Sequence, residues 1–109
     1  MLYLANAFSG QMIPDSCIIN KKPIDIEHVK EMLIGTPWKS CIGHDETAAV
    51  LTGMLDMPVP KERVNVFIKP EDILIVAQVQ GGRLPEGATT LPENFTIKFF
   101  FYNLLQWSE

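Results

Sequence analysis

The run Ile73–Ala77 constrains the fold more than any other stretch of the sequence. Its five consecutive residues, Ile-Leu-Ile-Val-Ala, are all apolar, and the turn-forming stretch Lys69–Asp72 precedes them. Such a run is typical of a β-strand whose two faces are both covered, because a strand with one wet face alternates apolar and polar residues instead. Gln78–Gln80 continues the strand towards Gly81. The pattern therefore predicts a central strand with protein layers on both sides.

The other predicted elements are shorter and mix strands with helices. Asp25 is a good N-cap for a helix, with Ile24 and Val29 at the hydrophobic-staple positions around it. Three glycines and two prolines make Gly81–Pro92 a loop. The predicted helices are Asp25–Ile34 and Asp45–Leu55, and the predicted strands are Leu2–Phe8, Cys17–Ile19, Trp38–Ile42, Val64–Ile68 and Phe95–Tyr102, with a break at Asn20–Pro23.

Composition limits the class of protein. A chain of 109 residues, 47% hydrophobic and 20% charged, is expected to form one folded domain. Its formal net charge of -4 argues against a general binder of DNA or RNA, which needs a broad basic face. Cys17 and Cys41 lack the spacing of a redox or zinc motif, so we expect two free thiols. No signal peptide or membrane span is evident, and we expect a soluble protein of the cytoplasm.

The stretch Ser40–Ala49 carries the clearest functional pattern. A strand end is followed by Gly43, then by His44, and then by a helical pattern whose start Asp45 or Thr47 can cap. Helix N-termini bind phosphate readily, and a histidine there can exchange a proton with the bound anion. A purely structural interpretation is also open, with Asp45 as N-cap, Gly43 as turn glycine and His44 as a bystander. Taken alone, the segment favours the structural interpretation.

Other polar residues can complete an anion site if the fold brings them together. Arg83 and Glu86 lie in the glycine-rich loop, and Asn6 and Ser9 follow the first strand. With His44, they form a set suited to acid–base chemistry on a phosphodiester. Each also has a structural explanation: Asn6 and Ser9 satisfy turn backbone, and Arg83 with Glu86 form a solvated salt pair. The scattered histidines and cysteines show no metal-ligand spacing, so we expect no metal.

The last predicted strand has aromatic residues on both faces. Phe99 and Phe101 alternate with Phe100 and Tyr102, so both faces of Phe95–Tyr102 present aromatic rings. In so small a domain, one of these faces is a candidate for contact with a second subunit. We therefore expect a homodimer.

Four blocks resemble the viral ring nucleases, small anti-CRISPR enzymes that destroy the cyclic second messenger of type III CRISPR systems. The blocks are Leu4–Ser9, with Asn-Ala-Phe-Ser; Ile42–Thr47, with Gly-His-Asp; Lys61–Val64; and Arg83–Gly87. They occur in the family's order and span roughly residues 2 to 87. The Asn-Ala-Phe-Ser and Gly-His-Asp blocks are the specific ones.

The resemblance implies a fold, a ligand and a mechanism. The fold is α/β, a mixed sheet of about five strands flanked by helices in a single domain. The protein is a homodimer enclosing cyclic tetra-adenylate, with no cofactor and no role for duplex DNA. Cleavage is metal-independent and uses the ligand's own 2′-hydroxyl, giving linear products with 2′,3′-cyclic phosphate ends. Such an activity suppresses CRISPR immunity in the host cytoplasm.

The resemblance also implies residue roles. His44 is the general acid for the leaving 5′-oxygen, and Arg83 and Glu86 complete the catalytic set. The ligand-binding positions are Asn6, Ala7, Phe8, Ser9, Gly43, Asp45 and Thr47.

Two departures bear on these roles. Glu46 stands where the family pattern has a serine, which adds negative charge near the expected phosphates. Gly81, Gly82 and Pro85 can shift the loop that carries Arg83. Two other functions stay open: a module that sequesters the cyclic nucleotide without cutting it, and a dimeric adaptor that binds a protein through the aromatic strand.

Overall fold

Five strands form one mixed sheet in the computed structural model, which describes residues 1–108 and the side chains of residues 1–106. The spatial order is β2-β5-β4-β1-β3. β1 is parallel to both β3 and β4, whereas β5 is antiparallel to β2 and β4. This confirms the predicted α/β class. The elements are β1 (Leu2–Ala5), a short 3₁₀ turn (Gly10–Met12), β2 (Ser16–Ile24), α1 (Ile26–Gly35), β3 (Trp38–Cys41), α2 (Asp45–Leu55), β4 (Ile73–Gln80) and β5 (Thr96–Ser108).

The apolar run Ile73–Ala77 lies in β4, between β5 and β1, as its pattern predicts. Ile75 and Ala77 pack with both helices, in a cluster that we call the helix-side core. Leu74 and Val76 face the other way, into a second cluster that we call the opposite core. Leu74, Ile75 and Ala77 are completely buried. Both faces of the central strand are thus covered, as the sequence indicates.

Both helices cover the same face of the sheet. Val29 and Leu33 of α1 and Leu51 and Leu55 of α2 all belong to the helix-side core. The Asp25 carboxylate accepts a hydrogen bond of 2.8 Å from the His28 N–H, which confirms the predicted N-cap of α1. The opposite core is covered by irregular chain rather than by a helix.

The prediction of a strand at Val64–Ile68 is wrong. This segment has no regular secondary structure, although Val66 and Ile68 are buried and Phe67 between them is exposed. The alternation therefore arises because the segment packs on the opposite core, and not because it is a strand of the sheet. The Ile68 N–H donates to the Met12 carbonyl at 2.7 Å, and this bond fixes the segment over the sheet face.

The second strand is longer than predicted, and the break expected at Asn20–Pro23 is wrong. β2 continues through these residues to Ile24. Pro23 is tolerated because β2 is an edge strand, where a missing N–H costs no ladder bond. The Asn20 Nδ2 donates to the Asn103 Oδ1 of β5 at 3.0 Å, which ties the edge strand to its neighbour.

The aromatic residues of β5 lie on alternate faces, as predicted. Phe99 and Phe101 join the helix-side core, whereas Phe100 and Tyr102 join the opposite core. The Phe8 ring stacks on Tyr102, with centroids 4.6 Å apart and planes inclined by 4°. Much of the aromatic surface that suggested a partner is therefore covered within the chain.

Both cysteines are free thiols, as expected. Cys41 is buried at the end of β3, and Cys17 is half-buried in β2. Burial raises the pKa of the Cys41 thiol, because the thiolate loses its hydration there. Within the described residues, no helix is both long and apolar enough to cross a membrane.

Candidate functional site

The three parallel strands end at the same edge of the sheet. Asn6 follows β1, Gly43 and His44 follow β3, and Arg83 comes shortly after β4. β1 lies between the other two strands, so the chain crosses from one side of β1 to the other as it passes from β3 through α2 to β4. Ligands of open α/β sheets bind in the crevice at such a point, outside the carboxyl ends of the strands.

A cleft of about 210 Å³ lies at this edge. Four of the predicted site residues line it, although they come from three separate parts of the chain: Asn6, His44, Thr47 and Arg83. The remaining lining residues are Glu46, Gln78, Val79, Gly82 and Leu84. The fold thus brings together a histidine, an arginine and small polar groups that the sequence leaves far apart.

The start of α2 differs from its predicted form. His44, and not Asp45, is the N-cap residue, and its side chain makes no capping hydrogen bond. The His44 carbonyl accepts the Ala48 N–H at 3.1 Å, while its exposed imidazole lines the cleft. The cleft therefore meets the positive end of a helix whose N-cap side chain stays free of the first-turn amides.

Asp45 occupies the first position of α2 and points to another partner. Its Oδ2 lies 3.4 Å from the Lys61 Nζ in an exposed ion pair. It is not among the residues that line the cleft. The prediction that Asp45 caps the helix is therefore wrong, because Asp45 lies one position inside α2 and its carboxylate meets Lys61 instead.

Asn6 joins the ends of β1 and β3. Its Oδ1 accepts the Gly43 N–H at 3.0 Å, so that amide is already occupied and is no free donor for a ligand. The φ of Gly43 is not positive, so its backbone conformation does not itself require glycine. A Cβ at Gly43 would lie 3.8 Å from the Arg63 Cγ, which is ordinary van der Waals contact. Arg63 thus passes close to the turn that carries His44.

The residues that follow Asn6 leave the cleft. Phe8 packs on Tyr102 in the opposite core, and the Ser9 Oγ accepts the Gln11 N–H at 3.3 Å, capping the 3₁₀ turn. Ala7 is exposed and does not line the cleft. The structural explanation of Ser9 thus holds in this conformation, and Phe8 is a packing residue.

Arg83 and Glu86 do not share the cleft. Arg83 lines it, whereas the exposed Glu86 does not, and the two side chains form no ion pair within the described structure. Glycines at positive φ flank the two residues in the loop, with +119° at Gly81, +116° at Gly82 and +77° at Gly87. These conformations favour glycine, and the loop residues that line the cleft end at Leu84.

The prediction of the site omits two residues that line the cleft, Gln78 and Glu46, although the sequence marks both. Gln78 is the first polar residue after the apolar run of β4, so its position marks the place where the strand leaves the core. Glu46 stood out only as a departure from the family pattern. In the described part of the chain, no three histidine, cysteine, aspartate or glutamate side chains are grouped so as to hold a metal ion.

Comparison with known proteins places the chain among viral proteins. The STIV B116-like family model matches residues 2–101. Protein 26 of Sulfolobus islandicus filamentous virus (isolate Iceland/Hveragerdi) is 33% identical over 88 residues, covering 80% of this chain and 74% of that protein. The solved structure of B116 of Sulfolobus turreted icosahedral virus superposes with a TM-score of 0.78 at 23% identity, covering 94% of this chain and 97% of that chain. The chain therefore belongs to the STIV B116-like family of small viral proteins.

Proposed function

We propose that this protein binds cyclic tetra-adenylate and cleaves it, thereby suppressing type III CRISPR immunity. The observation that carries the proposal is the cleft itself, in which Asn6, His44, Thr47 and Arg83 meet at the carboxyl ends of the parallel strands. An exposed imidazole, a guanidinium and a helix N-terminus around one polar cleft suit a phosphodiester.

The chemistry needs a proton donor at the leaving group. The ligand's 2′-oxygen attacks the adjacent phosphorus, the bond from phosphorus to the 5′-oxygen breaks, and the product ends are a 2′,3′-cyclic phosphate and a 5′-hydroxyl. His44 gives its proton to the departing 5′-oxygen, and Arg83 stabilises the charge on the phosphoryl oxygens. The proton of the 2′-hydroxyl passes to water or to a base. Glu86 lies outside the cleft in this conformation, so we assign it no step.

The small size of the cleft supports binding of the ring by two copies of the protein. A volume of about 210 Å³ is below the 300–1,000 Å³ typical of sites that enclose a small ligand, and a ring of four nucleotides is larger still. One cleft can hold one phosphate with its flanking sugars. A four-fold ring contains a two-fold axis, so a two-fold dimer can hold it with two equivalent clefts. We therefore propose a homodimer, for which light scattering should give the mass of two chains.

The test is single-turnover cleavage of labelled cyclic tetra-adenylate in EDTA, comparing the parent with His44→Ala. We expect His44→Ala to lose about 10²–10⁴-fold in rate, the usual contribution of a positioned general acid, while still binding the ring. His28→Ala is the matched control, because His28 is an exposed histidine of α1 that is not among the residues lining the cleft. Equal rates for His44→Ala and parent would refute the assigned role.

Binding separates the alternatives. Arg83→Ala should weaken binding of the ring by about ten- to a hundredfold, as expected for loss of a charge-assisted hydrogen bond, and less so at high salt. Lys69→Ala removes the same charge at the opposite edge of the sheet, before β4, and should bind like the parent. Tight binding without cleavage by any form would indicate a sequestering module. Absence of binding by the parent would leave the adaptor function.

A further inference from the structure

Glu46 connects the cleft to the loop that carries Arg83. It occupies the second position of α2, its side chain is half-buried, and it lines the same cleft as Arg83. Its Oε2 accepts the backbone N–H of Gly87 at 3.4 Å. Gly87 lies four residues beyond Arg83, within a turn in which the Ala88 N–H donates to the Pro85 carbonyl at 3.1 Å. The contact therefore joins the first turn of α2 to both the loop and the site.

The loop follows the helix beyond this contact. A Cβ at Gly53 would lie 4.0 Å from the Thr89 carbonyl oxygen, so the loop backbone passes close to α2 there. Gly53 is seven residues, or about two helical turns, beyond Glu46, and the two positions share one face of the helix. The helix thus meets the loop through a polar contact at its start and through a small residue further along.

The loop is short between its fixed points. β4 ends at Gln80, and Gly81 packs against the Asn94–Phe95 backbone, where an added Cβ would lie 3.0 Å from the Asn94 carbonyl oxygen. Arg83 lies only two residues beyond Gly81 and four before Gly87. Fixing the chain at both ends limits the positions that the Arg83 backbone can reach.

We propose that Glu46 is a positioning residue, whose carboxylate holds the Gly87 backbone and so keeps Arg83 in the cleft opposite His44. Its effect on catalysis rests on the proposed function, whereas the tether itself does not. Glu46 does not touch the reacting atoms in this role. Its carboxylate instead binds the loop backbone. The residue that stands where the ring-nuclease pattern has a serine thus has a structural role.

The tether is tested first in the free protein, without ligand. Glu46→Ala should exchange the Gly87 amide hydrogen about two- to tenfold faster, the range expected for loss of one exposed hydrogen bond, and should be cut faster by trypsin at Arg83. Glu46→Gln keeps an acceptor oxygen and should resemble the parent more closely. Glu27→Ala is the matched control, because Glu27 holds the same second position in α1 and does not contact the loop.

The consequence for Arg83 is tested in the presence of cyclic tetra-adenylate. Glu46→Ala should bind the ring more weakly and cleave it more slowly than Glu46→Gln, because both variants lack the negative charge that opposes the phosphates and only Glu46→Gln keeps the acceptor. Glu27→Ala should change neither property. Unchanged Gly87 exchange and unchanged trypsin cleavage in Glu46→Ala would overturn the tether. Faster exchange in Glu46→Ala, with binding and cleavage equal to those of Glu46→Gln, would overturn the positioning role. Faster exchange in a protein whose parent form neither binds nor cuts the ring would refute the proposed function and leave the tether standing.

Discussion

Replacing Asn6 with alanine tests how the site is held together. The substitution removes the acceptor of the 3.0 Å hydrogen bond from the Gly43 N–H, which is partly buried. A net loss of about 1 kcal/mol in the free energy of unfolding is expected for one such bond, because water can reach the freed amide only in part. In a domain of this size, that loss lowers Tm by about 4–8 °C. The turn that carries His44 also loses its link to β1.

Asn20→Ala is the matched control for this experiment. Asn20 also makes one partly buried side-chain hydrogen bond of 3.0 Å, to Asn103, but on the edge strand far from the cleft in the sheet order. Both variants should lose comparable stability. Only Asn6→Ala should lose cleavage, by about tenfold or more, because small displacements of a catalytic group cost up to about 10²-fold.

Thermal unfolding and single-turnover cleavage of the three proteins decide the matter. If Asn6→Ala melts with the parent, the hydrogen bond to Gly43 does not hold the turn and the structural reasoning fails. If both variants melt early and cleave equally well, the bond is real but the position of His44 does not depend on it.

Two further predictions concern the thiols and the loop glycines. Iodoacetamide should modify the half-buried Cys17 well before the buried Cys41. The raised pKa of Cys41 keeps the folded thiol protonated after the unfolded one ionises, so this residue's contribution to the free energy of unfolding should be constant to about pH 8.5 and then fall. Denaturant unfolding at pH 7 and pH 9.5 checks the sign, and Cys41→Ala should show a smaller fall. In denaturant titrations, Gly81→Ala should destabilise the protein by about 1–3 kcal/mol more than Gly82→Ala. Both residues have positive φ, but only at Gly81 would an added Cβ meet backbone atoms. Equal losses of stability would contradict that contact.

The central layer of the fold can be read from the sequence because its signals are strong and local. The apolar run of β4 predicts coverage of both faces, and the alternation of aromatic residues in β5 assigns each ring to its face. Asp25 predicts the start of α1 through its own capping bond. Each of these signals depends on residues within one element, and each is confirmed.

The errors arise where burial and strand pairing have separate causes. Val66 and Ile68 alternate with exposed residues because they lie on the sheet face, and nothing in their sequence distinguishes this from a strand. Pro23 marks a break in most contexts, yet an edge strand accommodates it. Whether a strand lies at an edge depends on the order of all five strands, which no single segment encodes.

The candidate site shows the same division. His44 and Arg83 can be selected from their residue types and local context, and the fold does bring them to one cleft. Glu86 lies only three residues from Arg83 yet does not line the cleft. The glycines that flank this segment have positive φ, and such dihedral angles cannot be read from spacing. Ser9 follows Asn6 closely in sequence, yet it serves the 3₁₀ turn instead. Proximity along the chain is therefore a weak guide to membership of the cleft.

The electrostatics of the cleft bear on how an acidic chain can present the anion site that we propose. Asp45 and Glu46 favour the start of α2 through the helix dipole, but they also oppose a phosphate at the same place. The structure gives each carboxylate another partner: Asp45 meets Lys61 at 3.4 Å, and Glu46 meets the Gly87 amide at 3.4 Å. Charges elsewhere on the surface act weakly, because salt screens them over about 10 Å. The field at the cleft thus depends on Arg83, Glu46 and the helix end more than on the net charge of -4.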